Sequence, residues 1–448
     1  MKNIFIIMIC IYTIISCSST IQEDISDDNP IEDGDNIDNP FENNNDFNIS
    51  SVCKIGESSY SSKPIDFDND GDIDIISYEN RNSFFLYRND GNKIYNKELL
   101  KEYKTTNWAS PCDNKTIATL EVGDIDNDGN LDIIFTSYVN CSAYSTDLSK
   151  VGWFKNLGNS FSDFNIIKSY STKSDPRPHS YGISYSLVSS DFDNDGDIDF
   201  INNNMDLFIN EGNSNFNIQS INGSSHFMEL VDFENDGDMD ILTIEGASAN
   251  WTTGRTTLYI NEGSNTFSKK QFSFNDESML ANEMRGSLGD LTDLNKDGYK
   301  DLIVGTSKPP SSDISNNQIR VPNVYILLSN NKSILDGGYQ ELRVELPIEE
   351  DIYLTTYDIV SIDVDNDSFK DIVFNTSAGL SILHNESQGV KWSNHDKYDK
   401  IGVVYYIKEG NYDSDNGMEL FVGASKNGGS PVFGYYGAAN IFSSNFCY

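Results

Sequence analysis

The chain has 448 residues, of which 70 are acidic and 31 basic, for a formal net charge of -39 at neutral pH. No basic run interrupts that excess, which excludes nucleic acid and an anionic lipid surface as partners of any extended face. Hydrophobic residues make up 38% and aromatic ones 12%, too many for a disordered chain, and the length requires several domains or one closed, repeating architecture.

The N-terminal segment MKNIFIIMICIYTIISC carries one positive charge at Lys2, an apolar run from Ile4 to Ile15, then Ser16 and Cys17. A run this short reads as a secretory signal rather than a membrane span. Its ending, IISC, resembles the lipobox of bacterial lipoproteins, which implies removal of residues 1–16 and lipidation of Cys17; an ordinary cleavable signal with a chance cysteine is the plainer alternative. From Ile21 to Asn48 ten acidic residues stand without a basic one, among Asn, Pro and Gly. Such a segment buries too little apolar surface to offset its ordering entropy, so residues 17–46 are expected to form an acidic, disordered stalk. Acidic residues soon after the cysteine also resemble the surface-export signal of lipoproteins in the Bacteroidetes group. The expectation is an exported lipoprotein of the outer membrane or cell surface, touching the membrane through its lipid anchor only. Once Cys10 leaves with the signal and Cys17 is lipidated, Cys53, Cys112, Cys141 and Cys447 remain. An even remainder in an exported chain suggests two disulfides, with free thiols as the alternative.

From residue 47 onward one motif recurs, Asp-x-Asp-x-Asp-Gly-x-x-Asp. Its copies are DFDNDGDID from Asp66, DIDNDGNLD from Asp124, DFDNDGDID from Asp191, DFENDGDMD from Asp232, DLNKDGYKD from Asp293 and DVDNDSFKD from Asp363. A degraded seventh, NYDSDNGME, begins at Asn411. Successive starts lie 58, 67, 41, 61, 70 and 48 residues apart, the spacing of supersecondary units joined by unequal loops. Before each motif stands a short apolar run such as TIATLEVG, and after it a β-branched run such as LDIIFTSY or KDLIVGTS. A third run follows, often ending in an apolar or aromatic residue, Asn and Gly (VGWFKNLG, TTLYINEG), and turn residues lead to a fourth. Four strands per repeat, with the acidic loop between the first and second, make one antiparallel sheet.

On these motifs the sequence resembles the FG-GAP and VCBS repeat families, the blades of integrin-α-like propellers, over roughly residues 50 to 448. The resemblance implies an all-β fold: a seven-bladed β-propeller over residues 47–448, built of four-stranded antiparallel blades, with six or eight blades as the alternative. Closed repetition also explains a chain too long for one ordinary core. In a closed propeller FNISSVCK could add to the last blade beside NIFSSNFCY, which would bring Cys53 near Cys447. Cys112 and Cys141 flank the second blade's inner hairpin and are placed to pair with each other.

Chemically, the loops fit a cage for a hard cation: alternate side chains of a tight turn converge as oxygen donors, and Gly at the sixth position permits the turn. Positions one, three, five and nine give Asp66, Asp68, Asp70 and Asp74; Asp124, Asp126, Asp128 and Asp132; Asp191, Asp193, Asp195 and Asp199. The remaining sets are Asp232, Glu234, Asp236 and Asp240; Asp293, Asn295, Asp297 and Asp301; Asp363, Asp365, Asp367 and Asp371. Oxygen-only donors and a flexible loop select calcium, held at several structural sites. An EF-hand would require Glu at position twelve and flanking helices; here position twelve is Ser77, Phe135, Asn202, Thr243 or Val304. Neutral Asn295 should weaken loop five, Ser368 in place of Gly should weaken loop six, and the seventh is expected to be empty.

The unrepeated segments fall on the face opposite the acidic loops. They bring the candidate ligand-face residues Trp108, Arg177, His179, Trp251, Arg255 and Arg320, residue types that anchor interfaces and stack on sugars. His226, His384 and His395 show no metal spacing, and no nucleophile elbow, zincin helix or phosphate loop is present. The expected function is therefore binding or adhesion, by a monomer, to glycan or protein. The alternative is a polysaccharide-degrading lyase or hydrolase on the same scaffold.

Overall fold

A computed structural model describes residues 52–54, 59–79, 82–90, 95–103, 116–139, 148–171, 187–221, 223, 225–245, 255–272, 289–308, 321–345, 359–365, 367–376, 379–389, 391–398, 403–410, 419–425 and 438–442. Among them every regular element is a strand, apart from one 3-10 turn at Ile334–Asp336. In chain order, β1 (Val52–Lys54) stands before the first acidic loop, and β2 (Ser59–Ile65), β3 (Asp74–Glu79), β4 (Ser83–Asn89) and β5 (Tyr95–Glu102) form the first sheet. The second comprises β6 (Thr116–Gly123), β7 (Asp132–Val139), β8 (Leu148–Phe154) and β9 (Asn165–Ser171). The third has β10 (Leu187–Ser190), β11 (Asp199–Asn202), β12 (Asp206–Asn210) and β13 (Phe216–Ser220). The fourth has β14 (Ser225–Val231), β15 (Asp240–Glu245), β16 (Arg255–Asn261) and β17 (Phe267–Gln271). The fifth has β18 (Gly289–Thr292), β19 (Asp301–Lys308), β20 (Val321–Ser329) and β21 (Tyr339–Glu345). The sixth has β22 (Ile359–Ile362), β23 (Asp371–Thr376), β24 (Gly379–Ser387) and β25 (Lys391–Tyr398).

Each of these six sheets runs through four consecutive strands, all antiparallel, which is the arrangement of β-propeller blades. The last strands behave differently. β26 (Val403–Gly410), β27 (Glu419–Ser425) and β28 (Ala438–Phe442) take β1 as their fourth partner, in the order β1-β28-β27-β26. Cys53 is in register with Ile441.

The core follows from strand alternation. Successive side chains of a strand point to opposite faces, so each of the second to sixth sheets shares one apolar layer with the sheet before it and one with the sheet after. Ile133 packs with Phe84 and Phe135 between the first and second sheets, while its neighbour Ile134 packs with Trp153 and Phe200 between the second and third. The same switch separates Phe200 from Ile201 and Ile241 from Leu242. It recurs at Leu302 and Ile303, and at Ile372 and Val373. Aromatic rings thicken the first of these layers, where Phe84 meets Phe135 edge-on at 4.9 Å and Phe154 at 5.2 Å.

First strands of successive sheets lie against one another, β2 on β6, β6 on β10, β10 on β14, β18 on β22 and β22 on β26. β2 also meets β27 and β28 of the composite sheet. Lys63 on β2 reaches Glu121 on β6 at 2.9 Å. Lys408 on β26 reaches Glu229 on β14 at 2.9 Å, joining inner strands far apart in sequence. Acidic loops join first strands to second, so they sit at the sheet end that also holds the third-to-fourth hairpins.

Candidate metal centres

The acidic loops share one backbone at their described positions. Position four is in the left-handed region, at Asn69, Asn127, Asn194, Asn235 and Lys296, and so is position six, at Gly71, Gly129, Gly196, Gly237, Gly298 and Ser368. Two left-handed residues in one short loop turn its backbone N–H groups inward, and the aspartates collect them. In loop three Asp191 accepts the N–H of Asp195 on one oxygen at 3.1 Å and that of Gly196 on the other at 2.9 Å. Asp195 accepts the N–H of Asp197 at 2.9 Å. The pattern repeats from Asp66, Asp124, Asp232, Asp293 and Asp363.

Position nine opens the second strand and is buried in all six copies: Asp74, Asp132, Asp199, Asp240, Asp301 and Asp371. One oxygen of Asp199 accepts the N–H of Phe192 at 3.1 Å, and the other that of Asn210 at 2.7 Å. Each of the other five fastens its loop to the third strand of its sheet in the same way. Burial pushes Asp132 and Asp199 up to about 7, and Asp74, Asp301 and Asp371 up to about 6.

Carboxylate oxygens converge around the remaining space. Asp66, Asp68 and Asp70 bring one oxygen each within 4.8 Å of one another, as do Asp124, Asp126 and Asp132, then Asp191, Asp193 and Asp199, then Asp363, Asp365 and Asp367. The donor chemistry can be tested on position three. Oδ1 of Asp126 and Oδ1 of Asp193 are buried with no hydrogen-bond partner, a costly state for a carboxylate oxygen that a hard cation would relieve. In loop four burial, followed by the facing charge of Asp240, lifts Glu234 to about 7. An all-oxygen set with these orphaned atoms fits a hard divalent cation.

Loops two to six also touch their neighbours. The side-chain amide of Asn127 donates to Asp197 and that of Asn194 to Asp238. Lys300 donates to the carbonyl of Asp232, and Lys296 lies 4.3 Å from the ring centre of Phe369. The acidic loops therefore occupy one face. Segments after Glu102, Ser171, Glu245 and Lys308 leave from the opposite ends of their sheets. Of the residues expected there, Arg255 opens β16, and Trp108, Arg177, His179, Trp251 and Arg320 lie outside the described residues. So do Cys17, Cys112, Cys141, Cys447 and the turn of the seventh motif, although Glu419, its ninth position, opens β27 as the aspartates open their strands.

Two groups escaped the sequence reading. Asn89, Asn210 and Asn261 end third strands, Asn156 lies just past the end of β8 and Asn385 near the end of β24, and they do more than mark a turn. The side-chain amide of Asn210 donates to the carbonyl of Ile125 in loop two at 2.8 Å, that of Asn261 to Phe192 in loop three at 2.9 Å, and that of Asn385 to Leu294 in loop five at 3.3 Å. These bonds tie one sheet to the loop of the previous one. Their signal was the Asn-Gly ending of the third runs. The second group is the residue just before that position. Lys155 pairs with Asp126 and with Asp128, the latter at 2.8 Å, and its hydrogen bond holds Asp128 down at about 2. Arg88 pairs with Asp68. His384 stands 3.9 Å from Asp365 and 3.7 Å from Asp371, so strand register gives it the metal-ligand neighbours that its sequence spacing did not suggest.

The family model for the FG-GAP-like repeat matches residues 66–135 and 232–304. No curated protein matches the chain. Among solved structures, an Agrocybe aegerita lectin that recognises non-reducing terminal N-acetylglucosamine is 16% identical, with a TM-score of 0.43, over 77% of this chain and 79% of the lectin. A Penicillium chrysogenum α-L-arabinanase is 10% identical, with a TM-score of 0.45, over 88% of this chain and 98% of that one. The Fusarium graminearum α-L-arabinofuranosidase is 12% identical, with a TM-score of 0.45, over 88% and 97%. Both matched segments begin at the first aspartate of an acidic loop, Asp66 and Asp232, and end in the strand that follows the next loop, so the FG-GAP-like repeat coincides there with the aspartate loops and the four-stranded antiparallel sheets.

Proposed function

We propose that the protein is a seven-bladed β-propeller, stabilised by several calcium ions, that binds glycan or protein on the face opposite its acidic loops. The observation that carries the calcium reading is the pair of buried, partnerless oxygens of Asp126 and Asp193, each converging with two further aspartates. Blade number is supported by the composite β1-β28-β27-β26 sheet, which uses the first strand to complete the last unit. On this reading the lipid at Cys17 holds a monomer at the cell surface, and the unrepeated segments present the ligand-binding side chains on a rigid scaffold.

Calcium acts here as a structural ion. Extracellular modules bind it with dissociation constants of about 0.1 to 1 mM, so each site in about tenfold excess calcium adds roughly 1.4 kcal/mol. Thermal unfolding of the full chain with 2 mM calcium and with excess chelator tests this: chelation should lower the midpoint by several degrees, and an unchanged midpoint would overturn it. A glycan array at millimolar calcium tests the binding reading. Retention of an intact sugar supports a binding module, whereas shortened products would make the protein a polysaccharide-degrading enzyme.

A further inference from the structure

The loops are alike in backbone at their described positions and differ in what the third strand sends toward them. Position is fixed by hydrogen bonding, because the residue after it donates its N–H to the ninth-position aspartate. By that alignment Arg88, Lys155, Ile209, Ile260, Leu328 and His384 are equivalent. In sheet three Ile209 is buried in the layer between the third and fourth sheets. At the same place in sheet two Lys155 extends its ammonium onto the third- and fifth-position carboxylates, Asp126 and Asp128. In sheet one Arg88 reaches Asp68 and is steadied from β5 by Glu98 at 3.3 Å.

We infer that Lys155 and Arg88 are tethered counter-ions that hold loops two and one in shape without calcium, leaving calcium dependence to loops that lack one, such as loop three. The inference rests on the calcium reading proposed above and divides the sites within it. An ammonium on two carboxylates supplies one positive charge and charge-assisted hydrogen bonds at the place where a cation would sit. A calcium ion entering loop two must displace it, and the lysine must then find water or another partner. Loop three has no such competitor among the described residues. Both loops leave one oxygen of the third-position aspartate without a partner, but where Asp126 has the ammonium of Lys155 on the other, Asp193 accepts the side-chain amide of Asn265 at 2.7 Å, a neutral donor that leaves the charge uncompensated. Loops one and two would thus keep one end of the fold formed when calcium is scarce, while loop three responds to it.

The test compares the full chain with Lys155→Met, which keeps the aliphatic stem, and Lys155→Gln, which keeps a polar tip. Calcium-45 equilibrium dialysis reads the number and affinity of sites, and thermal unfolding in chelator and in calcium reads their effect on the fold. Both variants should fill loop two at about tenfold lower calcium, the equivalent of one charge-assisted hydrogen bond. Both should also melt lower than the parent in chelator and recover with calcium. Adding Asp126→Asn to Lys155→Met should abolish the gained site. Parent protein that binds calcium, with both Lys155 variants matching it in dialysis and in chelator melting, would overturn the tethered counter-ion and leave the calcium reading standing. Absence of calcium binding in the parent and every variant would overturn both.

Discussion

In loop three Gly196 turns the chain at a φ of 94°, and in loop six Ser368 turns it at 75°. The two residues nevertheless do the same job: the N–H of Gly196 reaches Asp191 at 2.9 Å, and that of Ser368 reaches Asp363 at 2.9 Å. Both loops end on a buried aspartate that accepts two backbone N–H groups, Asp199 in one and Asp371 in the other. They part company around the cage. Loop three faces the aliphatic Ile209 layer, and loop six has the imidazole of His384 beside Asp365 and Asp371. The comparison separates two properties that the motif alone runs together: aspartates accepting N–H groups fix the shape of the loop, while side chains from the third strand set the charge and donor type inside it.

Removing the shared part should have the largest effect. Asp199→Ala leaves the N–H groups of Phe192 and Asn210 unpaired at a site that is 0% exposed, and should cost about 3 kcal/mol measured by urea unfolding in chelator. Asp371→Ala should cost the same within experimental scatter. A loss below about 1 kcal/mol at either site would show that the N–H groups find other partners and that the ninth aspartate serves the cation alone. Asp199→Asn keeps one acceptor oxygen and should fall between Ala and the parent.

How much of this was legible in the sequence depended on distance along the chain. The carboxylates that converge in loops one, two, three and six could be read because they come from nine consecutive positions, and the strands because β-branched runs such as LDIIFTSY place consecutive apolar side chains in successive layers. Asn210 could not be read as a tie between sheets, since Asn before Glu-Gly looks like turn chemistry and its partner, the carbonyl of Ile125, is 85 residues away. The role of His384 was hidden for a similar reason: only the pairing of β23 with β24 brings it beside Asp371, through the register Ile372 with Leu383. Lys155 was invisible because a basic residue after an aromatic one, in WFKN, is also what a solvated strand end looks like.

The turn residue gives the next effect. A left-handed conformation costs a residue with a Cβ roughly 1 to 2 kcal/mol, so Gly196→Ser should destabilise loop three by about that amount and Ser368→Gly should stabilise loop six by about 1 kcal/mol. No atom lies within 4 Å of a Cβ built on Gly196, so the penalty is conformational rather than steric crowding. Chelator melting curves of the two single variants and the double variant measure it. If Gly196→Ser is neutral, the loop has another way to turn, and the weak-site reading of Ser368 fails with it.

The smallest effect concerns the ties between sheets. Asn210 donates to Ile125 at 2.8 Å, and Asn385 donates to Leu294 at 3.3 Å; both carbonyls belong to the second position of the preceding loop. A buried amide–carbonyl bond contributes about 1 kcal/mol net, and a longer one less. Asn210→Ala should therefore destabilise by about 1 kcal/mol and Asn385→Ala by at least as much, because the Asn385 amide also reaches the carbonyl of Lys370 at 3.1 Å and its side-chain oxygen accepts the N–H of Gly389 at 2.8 Å, with calcium affinity unchanged because neither amide touches a loop carboxylate. Leucine at the same positions separates the hydrogen bond from the volume lost, since it refills the space without the donor. If Asn210→Leu restores full stability, the tie is packing; if it does not, the donor itself couples each blade to its neighbour's loop. A ring whose units are joined in this way should unfold in one transition rather than blade by blade, and Asn210→Leu should then broaden that transition as well as lower its midpoint.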